Sequence, residues 1–273
     1  MRTSWHTATP QQFLEPLGRS VLGLSIAAIG IETVLCAGAS SSALGPAHDV
    51  IPIVPFIPAV PMLAMIFGAV WALCGACMVS ASAAKWASIA FAVTFGFFTV
   101  AQIAPIAAQA PYNLSFRTAF FEPLTMAALA CLQPAAGLNG NALRIMLRYI
   151  VAVALLVFGL DHFLALAAIA TLVPPWIPFP AFWVGLFGVA FIATGVAFAT
   201  RYLFRISVVA ISLMFGIWVL TLHLPRTLGY YGIRDAIHDP AEWSSLFIAL
   251  ALCGGFLAVA SADVGVDSIG KTS

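Results

Sequence analysis

Apolar residues fill this chain in long runs, without the polar–apolar alternation of barrel strands. About 20 apolar residues, at about 1.5 Å each, cross a hydrocarbon layer of about 30 Å. Eight runs satisfy that length: 17–38, 59–80, 85–106, 120–137, 147–172, 181–200, 205–224 and 243–262. Helices, which leave no backbone group unpaired in lipid, are the elements such runs predict. The longer connections are 39–58, 107–119, 173–180 and 225–242. The expected fold class is therefore all-α, a polytopic membrane protein with eight transmembrane helices in two parallel four-helix repeats.

The repeat is read from punctuating residues. Arg19, Gly30 and Glu32 recur as Arg148, Gly159 and Asp161, each 129 positions on. Pro55, Pro58, Gly68, Gly75, Lys85 and Pro105 recur 120 positions on as Pro175, Pro178, Gly188, Gly195, Arg205 and Pro225. Arg117, Glu122 and Pro123 recur 117 positions on as Arg234, Asp239 and Pro240. The interval changes only inside loops, where length changes are tolerated. The expected division is a lead-in at 1–16, repeat units at 17–140 and 141–262, and a tail at 263–273. An even number of helices per unit gives both copies one orientation.

Composition agrees with a lipid solvent. Of 273 residues, 62% are hydrophobic and 8% charged, against about 25% charged in soluble domains. The net charge is +1 with no basic stripe, which argues against nucleic acid as a partner. Basic residues set the expected orientation. Arg2, Arg19, Lys85, Arg144, Arg148, Arg201, Arg205 and Lys271 lie on one side, and only Arg117, Arg226 and Arg234 on the other. Both termini are thereby expected in the cytoplasm, with Arg19, Arg148, Lys85 and Arg205 read as interfacial anchors on that side. A cleaved signal peptide ending near Cys36–Ser42 is disfavoured, since its removal would delete Glu32. The five cysteines sit in or beside apolar segments and form no disulfide framework. Cys74 and Cys77, within C-G-A-C, read as packing residues beside Gly75.

Glu32 and Asp161 are the candidate chemistry shared by both units. Each lies about 20 Å beyond its arginine, in the outer part of the layer, where an acid must be paired, protonated or facing a polar cavity. A buried acid satisfied by Arg117, Arg234 or helix-end amides is the structural reading. Ligand or proton handling is the functional one. The second unit adds His162 where the first has Thr33, and His223 where the first has Ile103. Arg226, Asp235, His238 and Glu242 likewise replace neutral positions. Ligand- or proton-handling candidates are thus Glu32, Asp161, His162, His223, Arg226, Arg234 and Asp239, which could converge on one outward-facing pocket. Histidine with carboxylate suits a proton relay, a quinone head group or a metal. No metal-ligand spacing such as H-x-x-x-H is present, so no metal ligand is assigned.

The Arg-led helix with FGLDHF (158–163), VPPWIPFPAFW (173–183), the Gly188–Gly195 helix and HLPR (223–226) resembles the DoxX-like superfamily of small membrane proteins. VPFIP (54–58) repeats the loop motif more weakly. The resemblance implies one four-helix bundle per unit, a bacterial plasma-membrane location and a fused tandem. Some members of that superfamily are linked to quinone-dependent sulfur oxidation or to assembly of redox complexes. Three functions follow as expectations. The first is an accessory or scaffold subunit of a membrane redox system, without independent activity, partnered by the lipid bilayer and a redox protein. The second is a quinone- or lipid-binding oxidoreductase subunit, and the third a carrier for a small hydrophobic or anionic compound.

Overall fold

A computed structural model describes residues 11–37, 61–109, 111–138, 140–232 and 236–261. The expected loop motif 54–58, Arg234 and Asp235 lie outside these residues. Among the described residues the chain is helical, without a β-strand. The helices are α1 (Gln11–Leu35), α2 (Pro61–Met78), α3 (Ala81–Phe98), α4 (Ala104–Gln109), α5 (Leu114–Leu132), α6 (Asn141–Leu164), α7 (Leu166–Ala170), α8 (Pro180–Thr200), α9 (Phe204–Trp218), α10 (Leu224–Thr227) and α11 (Pro240–Ala260). Seven segments are long and apolar enough to span a membrane: Phe13–Leu35, Pro61–Met78, Ala81–Ala101, Asn141–Leu164, Pro180–Thr200, Phe204–Thr227 and Pro240–Ala260. The chain is a multi-pass membrane protein whose apolar helices contact lipid.

The run expected at 120–137 differs most from its helix. α5 starts earlier, where the Asn113 side chain accepts from Phe116 N and caps the first turn. It stops at Leu132 because Gln133, held extended before Pro134, cannot continue it. Arg117 and Glu122 therefore lie inside the helix, diluting its apolar stretch. The run expected at 147–172 breaks at Ala165 into α6 and the short α7.

Two π turns interrupt the helices, at Thr99–Ile103 and Val219–His223, 120 positions apart. Pro225 explains the second. An α-helix would bond the 225 N–H to the Thr221 carbonyl, and proline has no such donor. The Tyr231 hydroxyl takes the freed carbonyl at 2.7 Å, and Trp176 Nε1 donates to Tyr231 Oη at 3.2 Å. The loop after α7 is thereby tied to the π turn that follows α9. Pro105 stands in the same relation to Ala101 and the first π turn.

Small residues set the helix contacts. α1 packs against both α2 and α11. A Cβ at Gly30 would lie 2.3 Å from Ala72 N, one at Gly75 2.3 Å from Ala27 N, and one at Gly18 2.3 Å from Ala258 N. Glycines at these crossings allow backbone to touch backbone, which is how helices gain dispersion contact in lipid. α6 meets α8 in the same manner through Gly159, Gly188 and Gly195. α5 contacts α3, α6 and α11, and α9 contacts α8 and α11. α11 is the central helix: 72% of its spanning window is buried, against 33–50% for the other six.

Arginine closes the ends of two helices. Arg19, buried, donates through Nη1 to Met78 O at 2.8 Å and to Val79 O, and through Nε to Glu15. Arg148 donates to Phe198 O at 2.9 Å and to Ala199 O at 3.3 Å. Both guanidinium groups satisfy carbonyls that the last turns of α2 and α8 leave open. These residues are thus caps within the bundle rather than simple interfacial anchors. Lys85, exposed beside the Trp86 ring, keeps the anchor role.

Candidate functional site

The C-terminal end of α6 presents Asp161 and His162 about 100° apart around the helix. That angle sends them to different neighbours. Asp161 meets Arg117 in the first turn of α5: Nε donates to Oδ2 at 3.3 Å and Nη2 makes a closer bond to Oδ1. The acid is 3% exposed and the guanidinium 21%. This two-point contact holds α5 to α6 and leaves Asp161 neither bare nor aimed at the histidine. Arg117, weighed from the sequence as one of two cationic partners for the acids, is the one found on Asp161.

His162 enters an aromatic cluster. Its ring lies 5.0 Å from Phe191 and 6.0 Å from Trp218, nearly parallel to the latter at 13°. Phe158, Phe187 and Phe215 complete the packing around those two rings. Nδ1 is 2.7 Å from the Phe158 carbonyl. Since a carbonyl only accepts, Nδ1 carries hydrogen and the neutral ring keeps its lone pair on Nε2. Thr33, 129 positions earlier, makes the same bond to the carbonyl one turn back, at Ile29, over 2.8 Å.

The aromatic cluster has a counterpart. Phe67, Trp71, Phe95 and Phe98 make the ring contacts that Phe187, Phe191, Phe215 and Trp218 make 120 positions on. The indole has moved from α2 in the first set to α9 in the second. Only the second set holds a histidine.

The remaining candidates separate. Arg226 of α10 donates to Glu242 in the first turn of α11, at 3.0 and 2.6 Å. Glu242 is 1% exposed, and the helix start adds a favourable dipole to the pair. Thr227 Oγ1 donates to the Glu242 carbonyl at 3.2 Å, a second tie between the same segments. Asp239 caps α11 by accepting from Ala241 N at 2.9 Å. His223 ends the π turn, partly buried, and its carbonyl accepts from Thr227 Oγ1. His238 is exposed. Glu32 is buried near the end of α1, and its Oε1, like Ser244 Oγ of α11, has no hydrogen-bond partner among the described residues. Glu122, matched earlier only as a repeat position, has a buried Oε2 without a partner. Among the described residues, no three His, Cys, Asp or Glu side chains gather to hold a metal.

The geometry thus brings together Arg117 with Asp161 and Arg226 with Glu242. The expected convergence of acid and histidine is replaced by separate contacts, as adjacent residues on one helix must face different ways. Sequence reasoning passed over Ser244, a neutral residue in an apolar run.

The described residues define an all-helical, multi-pass membrane protein with buried ion pairs at the end of its bundle opposite the Arg19 and Arg148 caps. No family model matches the chain, and no curated protein or solved structure shows significant similarity to it.

Proposed function

We propose that the chain is a tandem DoxX-like protein, two parallel four-helix units over 17–140 and 141–262, acting as an accessory or scaffold subunit of a membrane redox system. The eighth spanning helix in this reading is α5. Its location is the bacterial plasma membrane, with both termini cytoplasmic. Several pairs of features support the tandem: the two π turns, the two aromatic quartets, and the arginine caps on α2 and α8. Helix contacts also pair off, α1–α2 with α6–α8 and α1–α11 with α5–α6. One observation carries the scaffold role. Among the described residues, Asp161 and Glu242 are the two least exposed acids, and each binds an arginine of a neighbouring helix, so their charge is used to hold helices together.

A quinone- or lipid-binding oxidoreductase subunit is the second reading, favoured by His162 alone. Its Nδ1–H is fixed by the Phe158 carbonyl and its ring lies parallel to Trp218, an arrangement that suits an acceptor for a ligand hydroxyl. Purified full-length protein, extracted and examined by mass spectrometry and absorption, separates the two. The scaffold reading expects no stoichiometric quinone and co-purification of a redox complex that survives His162→Ala. A stoichiometric quinone or lipid lost in His162→Ala would overturn it.

A further inference from the structure

Glu122 is an acid that the helix-bracing pairs leave out. It lies near the middle of the 19 residues of α5. That helix packs against α3, α6 and α11, three helices long and apolar enough to span a membrane. The residue is partly buried, and its Oε2 is enclosed with no hydrogen-bond partner among the described residues. The donors of its own helix are used elsewhere. Thr118 and Thr125, one turn before and one turn after it on the same face, donate to Leu114 O at 2.9 Å and to Phe121 O at 2.7 Å. Arg117 gives Nε and Nη2 to Asp161, and Nη1 to the Pro111 carbonyl at 3.3 Å. Pro123 has no N–H, so the Ala119 carbonyl lacks its ordinary helical donor. The turn around Glu122 thus offers an acceptor but no donor. A bare carboxylate is strongly unfavourable there, whereas a carboxylic acid loses the charge and brings its own donor.

We propose that Glu122 is a proton-binding site inside the membrane, a neutral carboxylic acid that hydrophobic carbodiimides modify; its depth rests on α5 being a spanning helix. The modification needs the proton. The acid O–H adds across one C=N bond of the carbodiimide: oxygen bonds the central carbon and the proton goes to nitrogen, giving an O-acylisourea. Migration of the acyl group from oxygen to nitrogen then gives a stable N-acylurea, with no atom lost and no redox change. Asp161 and Glu242, each held as a carboxylate by an arginine, have no proton to give and stay unmodified.

The test is labelling of the full-length protein in phosphatidylcholine vesicles with dicyclohexylcarbodiimide and, in parallel, with a water-soluble cationic carbodiimide, read by peptide mass mapping. The hydrophobic reagent should add to Glu122 and leave Asp161 and Glu242 unmodified. The water-soluble reagent should leave Glu122 unmodified as well. Glu122→Gln should lose the adduct from α5 and keep the wild-type circular dichroism spectrum, since glutamine also brings its own donor. No adduct at Glu122 with either reagent, or an equal adduct at Asp161 or Glu242, would overturn proton binding while leaving α5 a spanning helix. Modification of Glu122 by the water-soluble reagent would overturn both.

Discussion

Replacing Gly75 with alanine should push α1 and α2 apart. An alanine Cβ at 75 would sit 2.3 Å from Ala27 N and 2.4 Å from Gly23 O. Ordinary contact with such atoms is about 3.5 Å, so one backbone must retreat by about 1 Å. The atoms struck belong to the main chain and cannot rotate aside. The cost therefore belongs at the upper end of the overpacking range, about 3 kcal/mol. Alanine returns about 1 kcal/mol through its better helix propensity, leaving a net loss of about 2 kcal/mol. Gly96→Ala is the internal control, because nothing lies within 4 Å of its Cβ position. That variant should stabilise the protein by about 0.5–1 kcal/mol. Reversible unfolding in mixed micelles, followed by circular dichroism, reads both. A Gly75→Ala protein as stable as wild type, beside a stabilised Gly96→Ala, would refute backbone contact as the basis of the α1–α2 interface.

Three further outcomes follow from named contacts. Arg148→Met should lose about 1–3 kcal/mol, because the Phe198 and Ala199 carbonyls lose a charged donor. Arg148→Lys should recover only part of this, since an ammonium cannot reproduce the planar fork; the same micelle assay reads both. Tyr231→Phe removes the donor to Thr221 O and should cost about 1–2 kcal/mol, with faster amide exchange confined to 219–227. Asn113→Ala should cost about 1 kcal/mol through loss of the α5 cap, seen as fraying of its first turn by the same exchange measurement.

Apolar run length located most helices because lipid forces every spanning backbone group to bond within its own segment. It set the bounds of α5 too late in the chain, because Arg117 hides the start of a helix that runs over Leu114–Leu132. Pro105 and Pro225 were visible as repeated prolines, but the π turns before them were not. A missing donor predicts a freed carbonyl without saying whether the helix kinks, widens or stops. Arg19 and Arg148 looked like anchors because depth is readable along one helix, whereas the carbonyls they cap lie on another. The same limit explains the candidate site. Sequence spacing placed Asp161 and His162 at one depth and suggested a shared pocket. Rotation about the helix axis then sent the acid to α5 and the ring to Trp218. His162 remained recognisable as an addition of the second half, since Thr33 makes the matching backbone bond without bringing a ring.

The central claim is that Asp161 braces α5 against α6 and does not serve a pocket with His162. A double-mutant cycle on the intact protein, with Arg117→Gln, Asp161→Asn and their combination, tests it most directly. Each single change strands a buried partner and should cost about 3 kcal/mol or more. The double variant should cost less than the sum by about 1–3 kcal/mol, and a parallel cycle of Asp161→Asn with His162→Phe should be additive within about 0.5 kcal/mol. Additive energies for Arg117 with Asp161, or coupling instead between Asp161 and His162, would contradict the account.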